Sequence, residues 1–328
     1  MRCARPDSKT TVRKKMKSKP NATIHLLDLD PDMLDKIYEH VKLPYALKLA
    51  CSTLRAAGPK ATRMGSKELV SLGVEVLSWA HRLGFRLTSK TCKTAVQIGD
   101  LEVCKWLRDN GCPWDKAMTC ASAASGGHLE VLKWLHAYWH PFDKYVCAYA
   151  ASGGHLEVLK WLHANGNPWD ECTCANAANR GHLEVLKWLH ANGCPWDEMA
   201  CANAAYGGHL EVLKWLHDNE CPADWMTCAN AAMNGHFEVL QFAHENGCEW
   251  DEDTCSFAAM NGDLAMLKWA RNNGCEWDEH TCLQAVKNNH IEVLEWAVHN
   301  GCPWDEQDCA EWAEEKGLNH ILAWIRMQ

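Results

Sequence analysis

Nineteen cysteines and eighteen histidines are the side chains of this 328-residue sequence with the most chemical reach. Thiolates and imidazoles bind zinc, act as nucleophiles and bases, and in the case of thiols pair into disulfides. Their spacing decides among these roles. Cys120, Cys147, Cys174, Cys201, Cys228, Cys255, Cys282 and Cys309 recur every 27 residues, and Cys92 precedes them by 28. The extra residue is expected in a longer loop around Lys116 and Ala117. Cys112, Cys194, Cys221, Cys248, Cys275 and Cys302 recur in the segments between. His128, His155, His182, His209, His236 and His290 keep the same interval, with Asp263 in the missing place.

Such regularity argues against a reactive centre, because an active site needs one asymmetric constellation and every candidate here is copied many times. Stacked repeats place helices about 8–10 Å apart, whereas thiolates sharing a zinc lie within about 4 Å. The loop cysteines of neighbouring repeats are therefore expected to share neither a metal nor a disulfide. Cys172 and Cys174 form the one Cys-x-Cys, and no Cys-x-x-Cys occurs. His182 and His190 stand at opposite ends of one helix, about 12 Å apart, where ligand pairs need a spacing of four. His136, His163, His190, His217 and His244 fall in last turns, where an imidazole suits the helix dipole. His182 and its equivalents open helices and are expected to serve turns or caps. No phosphate-binding glycine motif is present. The expectation is a non-enzyme with no cofactor and no metal, its thiols reduced.

The elements that carry these residues read as helix pairs. In residues 193–219, Gly193 suits a left-handed helix end and Pro195 blocks continuation. Asp197 is a good N-cap. Met199 to Tyr206 then make a short first helix rich in alanine, Gly207 and Gly208 break it, and His209 to Asp218 make a second helix. Leu210, Val212, Leu213, Trp215 and Leu216 form its apolar face, with Glu211 and Lys214 outside. Neither helix is long enough to stand alone, so stacking must bury them. The fold class is all-α: a helical solenoid of about nine helix-turn-helix repeats with short loops over residues 66–328. A small helical module at 24–65 and a basic disordered tail at 1–23 precede it.

Charge sharpens the partner class. Residues 1–20 carry +7, leaving −16 on the rest of a chain of net −9. An acidic body disfavours nucleic acid. No apolar run is long enough to span a membrane, and the N-terminus lacks the apolar core of a secretory signal. The expected location is intracellular, cytoplasmic or nuclear, with VRKKMKSK open to a nuclear-signal or a solvated-tail reading. The expected state is a monomer that binds protein, and neither nucleic acid nor membrane.

GHLEVLKWL resembles the second-helix motif of ankyrin repeats, and TCANAA resembles their first helix through its alanine pair. The resemblance covers about residues 70–328. Cys201 takes a buried leucine position of the family and Ala202 its histidine position. The repeat is 27 residues rather than 33, the loop NGCPWDE being shorter, so the projecting β-hairpins of the family are not expected. Short repeats with CPWDE loops look like those of giant viruses and some protists.

Residues 26–57, LLDLDPDMLDKIYEHVKLPYALKLACSTLRAA, break the period and resemble an F-box. Leu29, Pro31, Leu34 and Ile37 fall on its first half, Leu47 and Leu49 on its second, and Leu54 stands where tryptophan is usual. The resemblance implies docking onto the adaptor subunit of a cullin-type ubiquitin ligase, with the repeats choosing the substrate. The other reading of this segment is a helical cap for the solenoid.

Two features concern partners. Trp114, Trp169, Trp196, Trp250, Trp277 and Trp304 recur in the loops, either packing between repeats or forming an aromatic ladder. At two first-helix positions the repeats disagree among themselves, and these supply the candidate partner-binding residues Tyr149, Asn176, Asn203, Tyr206, Asn230, Met233, Phe257 and Met260. The ankyrin resemblance would place such positions along a concave groove; simple drift of exposed positions is the alternative. The functional reading is an interaction scaffold, with the ubiquitin-ligase substrate receptor as the second.

Overall fold

The computed structural model describes residues 66–82, 85–139 and 142–328. The basic tail and the F-box-like segment, including Leu29, Pro31, Leu34, Ile37, Leu47 and Leu49, lie outside the described residues. The chain divides into two compact units, residues 1–95 with 102–113 and residues 96–101 with 114–328.

Every regular element among the described residues is a helix. The order begins α1 (Ser66–Ser71), α2 (Val74–Arg82), α3 (Ser89–Ile98) and α4 (Leu101–Asp109). In the first unit, Leu77, Val103 and Leu107 are fully buried. Trp106 receives the edge of His81, ring centroids 5.9 Å apart.

The second unit is a run of helix pairs: α5 (Lys116–Ser125) with α6 (Leu129–Trp139), α7 (Lys144–Ser152) with α8 (Leu156–Ala164), and α9 (Glu171–Asn179) with α10 (Leu183–Ala191). It continues with α11 (Glu198–Tyr206), α12 (Leu210–Asp218), α13 (Trp225–Met233), α14 (Phe237–Glu245), α15 (Glu252–Met260) and α16 (Leu264–Asn272). The last pairs are α17 (Glu279–Lys287) with α18 (Ile291–His299) and α19 (Glu306–Glu315) with α20 (Asn319–Ile325). Each first helix packs on its own second helix and beside the first helices of the repeats before and after it. This is the stacking the sequence requires, since helices of two to three turns are marginal in isolation.

Composition explains the two layers. In α9, Cys174, Ala175, Ala177 and Ala178 are buried, and side chains this small let neighbouring first helices approach closely. In α10, Val185, Leu186 and Leu189 are buried and fill the space between layers. Each loop ends in an aspartate at the N-cap; Asp197 accepts from the Met199 N–H at 3.1 Å. The second helices α8 to α18 stop at an asparagine: Asn192 Nδ2 donates to the Trp188 carbonyl at 2.8 Å, and Gly193 follows at φ 77°.

The extra residue of the 28-residue spacing lies in a helix rather than in a loop. α5 begins at Lys116, and its cap Asp115 reaches the Met118 N–H, one residue further along than Asp197 reaches. A helix end absorbs an added residue by lengthening its first turn while the cap is kept.

Candidate protein-interaction surface

The periodic histidines join repeats. His155 Nε2 lies 2.9 Å from the Ser125 carbonyl, His182 Nε2 3.1 Å from that of Ser152, and His209 Nε2 3.1 Å from that of Asn179. Each acceptor is the last residue of the preceding first helix, whose carbonyls lack a partner within the helix. A carbonyl only accepts, so Nε2 carries the hydrogen. This corrects the expected capping role: His155, His182 and His209 occupy N-cap positions, but their side chains make no cap hydrogen bond. Asp263 does cap, accepting from the Met266 N–H at 2.9 Å. There the link to the preceding repeat passes to Asn261, whose Nδ2 donates to the Ala232 and Met233 carbonyls at 2.9 Å. Gly181 shows how closely the rings fit. Its φ is +72°, and a Cβ there would lie 2.6 Å from the His209 ring.

The loop tryptophans pack between repeats. Trp169, Trp196 and Trp250 are half-buried. The Trp196 ring stacks on His190 of the preceding second helix at 3.9 Å and meets Trp215 of the following one edge-on at 5.7 Å. His163, Trp169 and Trp188 repeat the arrangement, as do His244, Trp250 and Trp269. Offset and edge-to-face geometries are the favourable ones for aromatic rings. Two of the tryptophan joints differ. Phe142 stands in one loop position, its ring 5.4 Å from that of His136. At the other, Ala223 stands in the loop position and Phe242 in the helix position, so both partners of the tryptophan pair are replaced together. Sequence reasoning placed His163, His190 and His244 by the helix dipole alone and missed these stacks.

The cysteines hold a surprise. Cys92 and Cys112 are joined by a disulfide, with Cα atoms 6.8 Å apart. Reduced thiols are the expectation for an intracellular chain, and the repeat spacing sets only loop cysteines of adjacent repeats against one another. The pair that meets is a first-helix cysteine and the loop cysteine 20 residues later. Burial pushes the Cys120 and Cys147 thiols up to about 12, as for small buried hydrophobes. Among the described residues, no three or more His, Cys, Asp or Glu side chains gather where a metal could be held. No helix among them is long and apolar enough to cross a membrane.

The remaining surface is built from the first helices. On a helix, positions i, i+4 and i+7 share one face. The face reads Tyr145, Tyr149 and Ser152 on α7; Cys172, Asn176 and Asn179 on α9; Met199, Asn203 and Tyr206 on α11. It continues Met226, Asn230 and Met233 on α13 and Asp253, Phe257 and Met260 on α15. Because the first helices pack side by side, these triplets align. Tyr149 and Tyr206 are each 47% exposed and Tyr145 55%. Asn176, Asn203, Met233, Phe257 and Met260 are half-buried. Asn230 is partly committed within the fold, its Nδ2 donating to the Ala202 carbonyl of the neighbouring first helix at 3.1 Å. Tyr145, Met199 and Trp225 are exposed apolar residues that the two-position comparison missed. A search for apolar residues at first-helix positions four before the variable one would have found Tyr145 and Met199.

The opposite, second-helix surface is uniform from α6 to α12; in α14, α16 and α18 the same two positions hold Glu238 and Gln241, Ala265 and Lys268, and Glu292 and Glu295. Glu130–Lys133, Glu157–Lys160, Glu184–Lys187 and Glu211–Lys214 are the same three-residue ion pair at 2.7 to 2.9 Å.

The model of ankyrin repeats (many copies) matches residues 147–190, 174–217 and 201–244. Among solved structures, the crystal structure of the human ASB11 ankyrin repeat domain is similar with 18% identity and a TM-score of 0.39, covering 48% of this chain and 84% of that one. No curated protein matches. Residues 147–244 thus match ankyrin repeats, and ankyrin repeats indicate a protein–protein interaction scaffold.

Proposed function

We propose that the chain is a non-catalytic scaffold that binds a protein partner through the exposed first-helix face, centred on α7 to α15. The observation that carries this reading is the contrast between faces. From α5 to α12 the exposed second-helix surface repeats one Glu–Lys pair, while the aligned first-helix triplets differ from repeat to repeat and present Tyr145, Tyr149 and Tyr206 to solvent. Drift of exposed positions would have touched both faces of these four repeats. Tyrosines of this kind bring large contact area at low cost in side-chain entropy. The stripe changes character at α17 and α19, where it carries His280, Lys287, Glu311 and Glu314. The partner contact is therefore drawn to the apolar stretch before them. The test is affinity capture with wild-type chain, with Tyr149→Asp plus Tyr206→Asp, and with Lys160→Asp plus Lys187→Asp. The first pair is expected to lose the captured protein and the second to keep it; equal retention by both would end this reading.

The second reading is a substrate receptor of a cullin-type ubiquitin ligase, favoured by the F-box-like spacing of Leu29, Pro31, Leu34, Ile37, Leu47 and Leu49. It expects the ligase adaptor to co-purify with the full chain and to be lost on Leu34→Asp plus Ile37→Asp. Absence of the adaptor from wild-type preparations rejects it.

A further inference from the structure

The Cys92–Cys112 link is one member of a series. A first-helix cysteine is followed 20 residues later by a loop cysteine at Cys174/Cys194, Cys201/Cys221, Cys228/Cys248, Cys255/Cys275 and Cys282/Cys302. The loop sulfur takes the same position in linked and unlinked copies. Cys112 Sγ, which carries no hydrogen in the disulfide, lies 3.3 Å from the Thr88 carbonyl, 24 residues back. Cys194 and Cys221 donate to the carbonyls of Asp170 and Asp197 at 3.5 Å, and Cys275 and Cys302 to those of Asp251 and Asp278 at 3.3 Å. In each case the acceptor lies 24 residues back, at the start of the first helix of the same repeat. That common anchor sets the loop sulfur against the first-helix sulfur. From the other side, the first-helix sulfur reaches the loop cysteine's own backbone: Cys201 Sγ lies 4.0 Å from the Cys221 carbonyl and Cys228 Sγ 3.9 Å from the Cys248 carbonyl. The Cα separation of Cys92 and Cys112, 6.8 Å, lies within what a disulfide spans.

We propose that all six of these cysteine pairs are disulfide-forming sites, each able to staple the loop of one repeat to its own first helix. The reaction is exchange with a small-molecule disulfide such as oxidised glutathione. One protein thiolate attacks the small disulfide and expels one small thiol, and the partner cysteine then displaces the second. Two protein S–H bonds and one S–S bond break, one protein S–S bond forms, and both protons leave on the two small thiols. The protein loses two electrons per pair and the small disulfide gains them. Burial and the neighbouring sulfur hold these thiols protonated, so thiolate is scarce and exchange is slow in the folded chain. The staples are set as the chain folds.

One repeat supplies an internal control. Opposite Cys147 stands Asn167, buried, its Oδ1 accepting from the Phe142 N–H and its Nδ2 donating to the Leu162 carbonyl. That repeat keeps its two neighbours together without a second sulfur, and Cys147 stays free.

The test is to refold the full chain, reduced and denatured, in reduced and oxidised glutathione. Acid quenching, alkylation, intact mass and peptide mapping then count and place the links. The proposal expects links at spacing 20 alone, leaving 7 of the 19 cysteines alkylated: Cys3, Cys51, Cys104, Cys120, Cys147, Cys172 and Cys309. The linked chain should melt higher than the reduced one. Cys221→Ala should free Cys201 and leave the other links in place, and Asn167→Cys should remove Cys147 from the alkylated set. Links scrambled over other spacings, a link at Cys92–Cys112 alone, or 19 alkylated cysteines in excess oxidised glutathione would each overturn it.

Discussion

The two exposed faces of the second unit are made from the same repeats, yet from α5 to α12 one is monotonous and the other is not. On the second helices the Glu–Lys pair at Glu130–Lys133 returns three more times with almost unchanged geometry. On the first helices the position of Tyr149 becomes Asn176, Asn203, Asn230, Phe257, Gln284 and Glu311. Exposed ion pairs at this spacing contribute little, about 0.3–0.5 kcal/mol each, so stability alone does not hold the second-helix face constant. Repeats copied from one another share a surface until something asks them to differ. From α5 to α12 the first-helix face is the one that differs.

Breaking the framework beneath both faces should have the largest effect. The thiols of Cys120 and Cys147 are raised from 9.0 to about 12 on folding. A raised thiol favours the folded state while it stays protonated, so this stability is fully present below about pH 9 and is lost as pH rises toward 12. Alkaline unfolding followed by circular dichroism should show the loss, and Cys120→Ala plus Cys147→Ala should blunt it. Next comes Leu186→Ala, which empties a fully buried site between the layers; about 2–5 kcal/mol should be lost in denaturant unfolding. Trp196→Ala removes the ring held between His190 and Trp215. The tryptophan is half-buried, so about 2 kcal/mol is expected, below the range for a fully buried aromatic. Neither change should alter partner choice beyond the loss of folded protein.

Changes on the faces themselves sharpen the contrast. Tyr149→Ser plus Tyr206→Ser should weaken partner binding about 10- to 100-fold, read by titration calorimetry, with unfolding stability within about 0.5 kcal/mol of wild type. Lys187→Ala, on the uniform face, should move both quantities least, by about 0.5 kcal/mol or less.

Much of the fold was legible because each repeat writes its own start and stop. Asp197 as cap, Gly193 as the left-handed end, and the apolar stripe through Leu213 and Leu216 all lie where the periodicity predicts. What escaped the sequence depends on how one repeat sits on the next. The reach of His182 to the Ser152 carbonyl crosses 30 residues, and no spacing rule within a helix anticipates it. The stack of His190 on Trp196 joins the end of one helix to the loop beyond it. The cysteine spacing of 20 was present in the numbers, but it acquires meaning only when the loop folds back beside the first helix. The variable positions were legible as variable; that Asn230 turns partly inward to the Ala202 carbonyl was not.

The most direct test of the scaffold reading is side-chain footprinting of the chain with its captured partner. Tyrosine iodination and lysine acetylation would be mapped with and without that partner. The account predicts protection of Tyr145, Tyr149 and Tyr206, with Lys133, Lys160, Lys187 and Lys214 as reactive in the complex as in the free chain. Protection of those lysines with the three tyrosines unchanged would place the partner on the opposite face and contradict it.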